Sequence, residues 1–193
     1  MRMAGVFIVA AAIVVGSGHA QQNDDGIPKS TKDLVTLSSP DGKLVAIART
    51  PIPDTQMPDY QDADGTLLFI RRPDRGDRII AHRFFAGRFI SKMLWSPDSQ
   101  FLALCSESAA GHSSWHFQTY FWSRSDGKFR SVDYRAGPVA DDVLTFSPPH
   151  SLTVKIAATL PDKTLDVEHP SGRTVDLARL RRSTPPLRQS RWP

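Results

Sequence analysis

The sequence holds almost no cysteine: Cys105 stands alone among 193 residues. No disulfide can form within the chain, so the fold must rest on a packed core. Inside "FLALCSES" the alternating apolar pattern places Cys105 as a buried free thiol. Glutamate is as scarce, with Glu107 and Glu168 only. A glycosidase carboxylate pair would have to be drawn from aspartates, and no two of these stand out. There is no G-x-S-x-G nucleophile elbow and no glycine-rich phosphate loop. Capped stretches of helical period are missing, which argues against a helical bundle. Past the first twenty residues no apolar run approaches the ~20 residues that span a bilayer.

What is present begins with an export signal. Arg2 precedes the apolar run 6–15, and Gly18 and Ala20 sit where a signal peptidase reads small side chains. We read 1–20 as a cleaved signal peptide, 21–33 as a polar linker, 34–178 as a β domain and 179–193 as a basic disordered tail. The expected location is periplasmic or secreted, with no transmembrane segment after cleavage. No cysteine lies near the cleavage point, so no lipid anchor is indicated. The formal net charge of +4 comes from the tail, where 179–193 holds five arginines and no acid, with prolines at 185, 186 and 193. The remainder is nearly balanced and lacks a basic face interleaved with aromatics, so nucleic acid is not an expected partner.

A repeat organises the body. "SSPDGKLVAIA" at 38–48 returns as "WSPDSQFLALC" at 95–105 and, in weaker form, as "FSPPHSLTVKI" at 146–156. Ser39, Ser96 and Ser147 recur slightly above the ~40–50 residues of blade-sized repeats. An apolar strand precedes each turn, over 34–37, 92–95 and 143–146. Proline then fixes φ near about −65° and stops the strand. Asp41-Gly42 offers a side-chain acceptor and a residue suited to positive φ. Ser99 replaces that glycine in the second copy, and Pro149 replaces the aspartate in the third. A second strand follows each turn. Two further strands per repeat are predicted: "GTLLFIRR" and "DRIIAHRFF" around 73–76, "SSWHFQTYFW" and "KFRSVDY" around 125–127, and "TLDVEH" and "RTVDLA" around 170–172.

These hairpins resemble the WD-like propeller repeats of periplasmic TolB-type proteins, and the resemblance covers three hairpins spread over 34–158. It implies an all-β fold of three blade-like four-stranded antiparallel meanders, a partial propeller or a propeller-like sandwich. Propellers close with about four to eight blades, so three leave open sheet edges through which copies of the chain could associate.

The richest stretch for function is "GHSSWHFQTYFW" at 111–122. As a strand it puts Trp115, Phe117, Thr119 and Phe121 on one face, and Ser114, His116, Gln118, Tyr120 and Trp122 on the other. That second face, with His112 and Ser113 in the preceding loop, forms the candidate binding surface: His112, Ser113, His116, Gln118, Tyr120 and Trp122. Packing between blades is the competing reading. No catalytic residue, metal or cofactor is assigned. His112 and His116 have the spacing of a helical metal pair, but on a strand four steps cover about 13 Å, too far for one ion. "DYQDADGT" at 59–66 echoes a calcium loop yet aligns Tyr60 and Arg71 with the first and last ligand positions. The expectation is a non-catalytic binding or scaffold protein whose partner is a protein or envelope component. The alternative is a small exported hydrolase or metal-dependent enzyme using His112 and His116.

Overall fold

The structure is a computed structural model that describes residues 31–51, 65–109, 116–160 and 164–188. It is all-β, with three antiparallel sheets of four, four and three strands, none of them closed among the described residues. Sheet 1 comprises β1 (Thr31–Ser38), β2 (Val45–Pro51), β3 (Gly65–Arg72) and β4 (Arg78–Ala86). Sheet 2 comprises β5 (Arg88–Trp95), β6 (Phe101–Ser108), β7 (Gln118–Ser123) and β8 (Lys128–Ser131). Sheet 3 comprises β9 (Thr145–Ser147), β10 (Ser151–Thr159) and β11 (Leu165–Asp176). In each sheet neighbours in sequence are neighbours in space, so every sheet is a simple meander. Two short helices complete the chain, α1 (Asp133–Ala136) and α2 (Leu177–Ser183). No described helix is long and apolar enough to cross a membrane.

The sheets stack face to face because the middle one is apolar on both sides. Side chains alternate along a strand. In β6, Leu102 and Leu104 join the core shared with sheet 1, while Phe101, Ala103 and Cys105 join the core shared with sheet 3. The first core adds Ala46, Leu68, Ile70 and Phe85 from sheet 1 to Met93, Trp95, Trp122 and Phe129 from sheet 2. The second adds Leu152 and Val154 of β10, with Leu177 and Leu180 of α2. A strand buried on both faces reads as a continuous apolar run, so "FLALC" is apolar at every position where alternation was expected. The outer face of sheet 3 is different. Thr153 and Thr174 pair across it at 2.8 Å beside exposed Thr145 and Lys155, so this end of the stack suits water.

Several expectations are corrected. The third repeat has no hairpin at 170–172, because β11 is one continuous strand. Its pairing with β10 jumps from Ile156↔Ser171 to Ala158↔Asp166, so the extra residues form a bulge instead of a turn. "VDY" leaves β8 and enters α1. β1 starts at Thr31, three residues before the expected start of the β domain. The tail is not disordered from 179. Residues 177–183 form α2, whose N-terminus is capped by the Asp176 side chain accepting from the Arg179 N–H. Beyond α2, the Thr184 carbonyl accepts from Arg130 Nε at 3.1 Å, the Leu187 N–H donates to the Phe129 carbonyl at 2.8 Å, and the Arg188 carbonyl accepts from Arg83. The segment straps sheet 3 to sheet 2 and then to β4 of sheet 1. The sequence pattern hid this because three leucines, Leu177, Leu180 and Leu187, with Ala178, carry the apolar contact among four arginines.

Candidate functional site

The expected binding strand is shorter than its sequence pattern. β7 begins at Gln118, so His116 and Phe117 lie outside it, although Phe117 still packs on the core that holds Phe121. His116 turns to Asp133, with Nε2 2.8 Å from Oδ2, while the other oxygen of Asp133 accepts the Thr119 N–H at 3.0 Å. Gln118 and Tyr120 do share a face: the Tyr120 hydroxyl donates to Gln118 Oε1 at 2.5 Å. Tyr120 packs on Phe85 of sheet 1, with ring centroids 5.2 Å apart. Burial pushes its phenol up, partly opposed by Arg88. Arg88 lies beside this rim, donating to the Ser106 carbonyl and to the His116 carbonyl. Trp122 belongs to the wall, not to a surface: it is 1% exposed and meets Trp95 edge-on at 6.1 Å. His112 and Ser113 lie outside the described residues, as do Asp62 and Asp64 of the calcium-like stretch. Cys105 is a buried free thiol. Burial drives its pKa up to about 12, against a modest opposing hydrogen bond with Thr119, so it is not a nucleophile at neutral pH.

A second constellation was not singled out in the sequence. It forms where the repeat turns meet at one end of the stack. In the first turn Ser39 Oγ donates to Asp41 Oδ1 at 2.7 Å and accepts the Leu44 N–H at 3.0 Å, and Asp41 Oδ1 also accepts the Lys43 N–H. The second turn repeats this with Ser96, Asp98, Phe101 and Gln100. The remaining oxygen of each aspartate reaches the next sheet. Arg124 at the end of β7 donates to Asp41 Oδ2 at 2.6 Å, and His150 Nδ1 lies 2.9 Å from Asp98 Oδ2. The far side of the His150 ring is 3.6 Å from Asp176, and the ring packs on Phe101. Burial pushes both turn carboxyls up, but more strongly opposing hydrogen bonds from Ser39 and Arg124, or from Ser96 and His150, hold Asp41 and Asp98 below the ordinary aspartate range. The signal in the sequence was the recurring Ser-Pro-Asp, read there as turn chemistry alone.

The chemistry available here is limited by who faces whom. Ser96 and His150 address opposite oxygens of one carboxylate. A hydrolytic triad needs the imidazole to accept from the serine, with the carboxylate behind the imidazole, and this order is different. Among the described residues no group of three His, Cys, Asp or Glu side chains is placed to hold a metal ion.

No family model and no curated protein matches the chain. A solved structure of an uncharacterized protein from Listeria monocytogenes EGD-e is similar to it at 14% identity, with a TM-score of 0.48. The match covers 83% of this chain and 40% of that one, so this chain spans less than half the length of that protein.

Proposed function

We propose that this protein is an exported, non-catalytic binding or scaffold module, a propeller-like array of three blades that engages a protein or another envelope component. The observation that carries the reading is the double use of each Ser-Pro-Asp carboxylate, one oxygen closing its own turn and the other fastening the next sheet. Side chains of the types that perform chemistry elsewhere are committed here to holding sheets together. A stack fastened in this way presents its rims on rigid elements, which suits recognition.

The surface assigned to the partner is the rim before β7. It comprises His116, Gln118 and Tyr120, all half-buried beside Arg88, and we assign to it also His112 and Ser113, which precede them in sequence outside the described residues. Trp122 supports it from the core. The polar outer face of sheet 3 supports a compact single copy over a ring closed by stacking further copies on that face.

The test is cross-linking in the native envelope, comparing the natural chain with a His116→Ala/Gln118→Ala variant. The expected result is one enriched partner that the variant loses while its unfolding free energy changes by about 1 kcal/mol or less. Capture indifferent to the two substitutions would remove the rim from the reading.

A further inference from the structure

The helix that replaces the expected tail gathers positive charge on one face. Leu177 and Leu180 of α2 enter the second core, which leaves Arg179 and Arg182 exposed. Neighbouring elements bring one further cation to α2 and another to α1, which is tied to it. Arg135 at the end of α1 donates to the Ser183 carbonyl at 3.0 Å, and Arg173 of β11 donates to the Ala136 carbonyl at 2.6 Å. Arg181 donates to Ser125 in the β7–β8 turn, the turn that leads into β8 at Lys128. The nearby carboxylates are already engaged: Asp126 with Arg130, Asp133 with His116, and Asp176 as the cap of α2. Lys128, Arg135, Arg173, Arg179 and Arg182 are all exposed. Among them stands Tyr134, 62% exposed, the most exposed large apolar side chain among the described residues, with the Arg135 guanidinium 5.4 Å from its ring centre.

We propose that this face docks on an anionic lipid surface. Arginine forks pair with phosphate in two-point contacts, and cations near an anionic membrane add attraction residue by residue. A tyrosine left in water beside them has the amphipathic ring that settles at headgroup level. The cations are spread over the outside of α2, α1 and β11 instead of lining a cleft, which fits an extended charged plane better than a narrow acidic ligand. The proposal rests on the reading of the chain as an exported binding module and names a component of the envelope it would meet.

The test is co-sedimentation of the purified protein with vesicles of phosphatidylcholine alone and with vesicles that also contain phosphatidylglycerol. Binding is expected only to the second kind and is expected to fall as salt rises. Arg179→Gln/Arg182→Gln should weaken it roughly 25-fold, about fivefold per arginine. Tyr134→Ala should weaken it less, and Arg179→Lys/Arg182→Lys should restore most of it. The rim variant His116→Ala/Gln118→Ala should bind vesicles as the natural chain does, so failure of the rim and failure of this face are separable. Equal binding to both vesicle kinds, or no loss in the glutamine variant, would overturn the proposal. Tighter salt-sensitive binding to polyglutamate than to the anionic vesicles would assign the face to an acidic protein instead.

Discussion

The turns of the first and second repeats make the same hydrogen bonds around different residues at one position. The serine-to-aspartate bond is 2.7 Å in one and 2.6 Å in the other, and the aspartate-to-backbone bond is 3.1 Å in both. At the position of positive φ the first has Gly42, at 68°, and the second has Ser99, at 59°. A side chain in that region costs about 1–2 kcal/mol. Ser99 meets the cost with a contact glycine cannot make, its hydroxyl accepting the Asp41 N–H at 3.1 Å. The network of serine and aspartate is therefore what the turn requires, and the glycine position is free to serve the neighbouring sheet. The third turn sharpens the point. Pro149 removes its aspartate, and the turn lends His150 to the second turn instead. The ladder of bridging carboxylates stops at sheet 3, where the outer face turns polar.

The largest effect expected from this comparison separates the two aspartates. Asp98→Ala should cost about 2–3 kcal/mol, because its second oxygen holds His150, which also touches Asp176 and Phe101. Asp41→Ala should cost about 1–2 kcal/mol, since the Arg124 side chain that it holds has one further contact, a long one to the Ser99 carbonyl, where His150 has two. Urea unfolding of both variants measures the gap. Equal losses would mean that the second oxygen contributes nothing and that the turns work only locally.

Acid should remove the same contributions. Both carboxyls lie below the ordinary aspartate value of about 3.9, so their stabilisation is complete above it and is lost as pH falls through the folded values. The melting-temperature gap between the natural chain and an Asp41→Asn variant, whose partner Arg124 stays charged throughout, should stay constant above about pH 5 and close as the pH is lowered below about 4. A gap that closes on raising the pH would contradict the assignment.

Much of the scaffold was legible in the sequence because strands and turns leave local marks. The period-two runs and the Ser-Pro-Asp, Pro-Asp-Arg-Gly and Ser-Asp-Gly punctuation place every strand of the first two meanders, although β5 begins four residues before the expected start and β7 five after it. The third sheet was overcounted because "HPSG" carries turn chemistry while the pairing of β10 with β11 continues across it as a bulge. α2 was missed because two leucines in seven residues make too little periodicity to see. The site was harder still. Alternation along 114–122 correctly grouped Gln118 with Tyr120, but it could not show that sheet 1 covers Trp122 or that His116 leaves the strand for Asp133. Nor could it show that Asp98 and His150, both in turns and far apart in sequence, face one another. Those relations arise from stacking, which sequence order within a meander does not record.

The smallest expected effects test the position where the two turns differ. Gly42→Ala should destabilise by about 1 kcal/mol: a methyl group there meets open space, with nothing within 4 Å, so the loss reports backbone strain alone. Ser99→Gly should change stability by less than about 0.5 kcal/mol, because relief of strain and loss of the bond to Asp41 oppose each other with similar size. Ser99→Ala, which keeps a side chain at positive φ but removes the hydroxyl that accepts the Asp41 N–H, isolates the bond. If Ser99→Gly stabilises the protein by about 1 kcal/mol or more, the hydroxyl contributes nothing across the sheets, and the serine is only tolerated. A loss of about 0.5–1.5 kcal/mol in Ser99→Ala would instead show one repeat accepting strain in its own turn in order to hold the repeat before it.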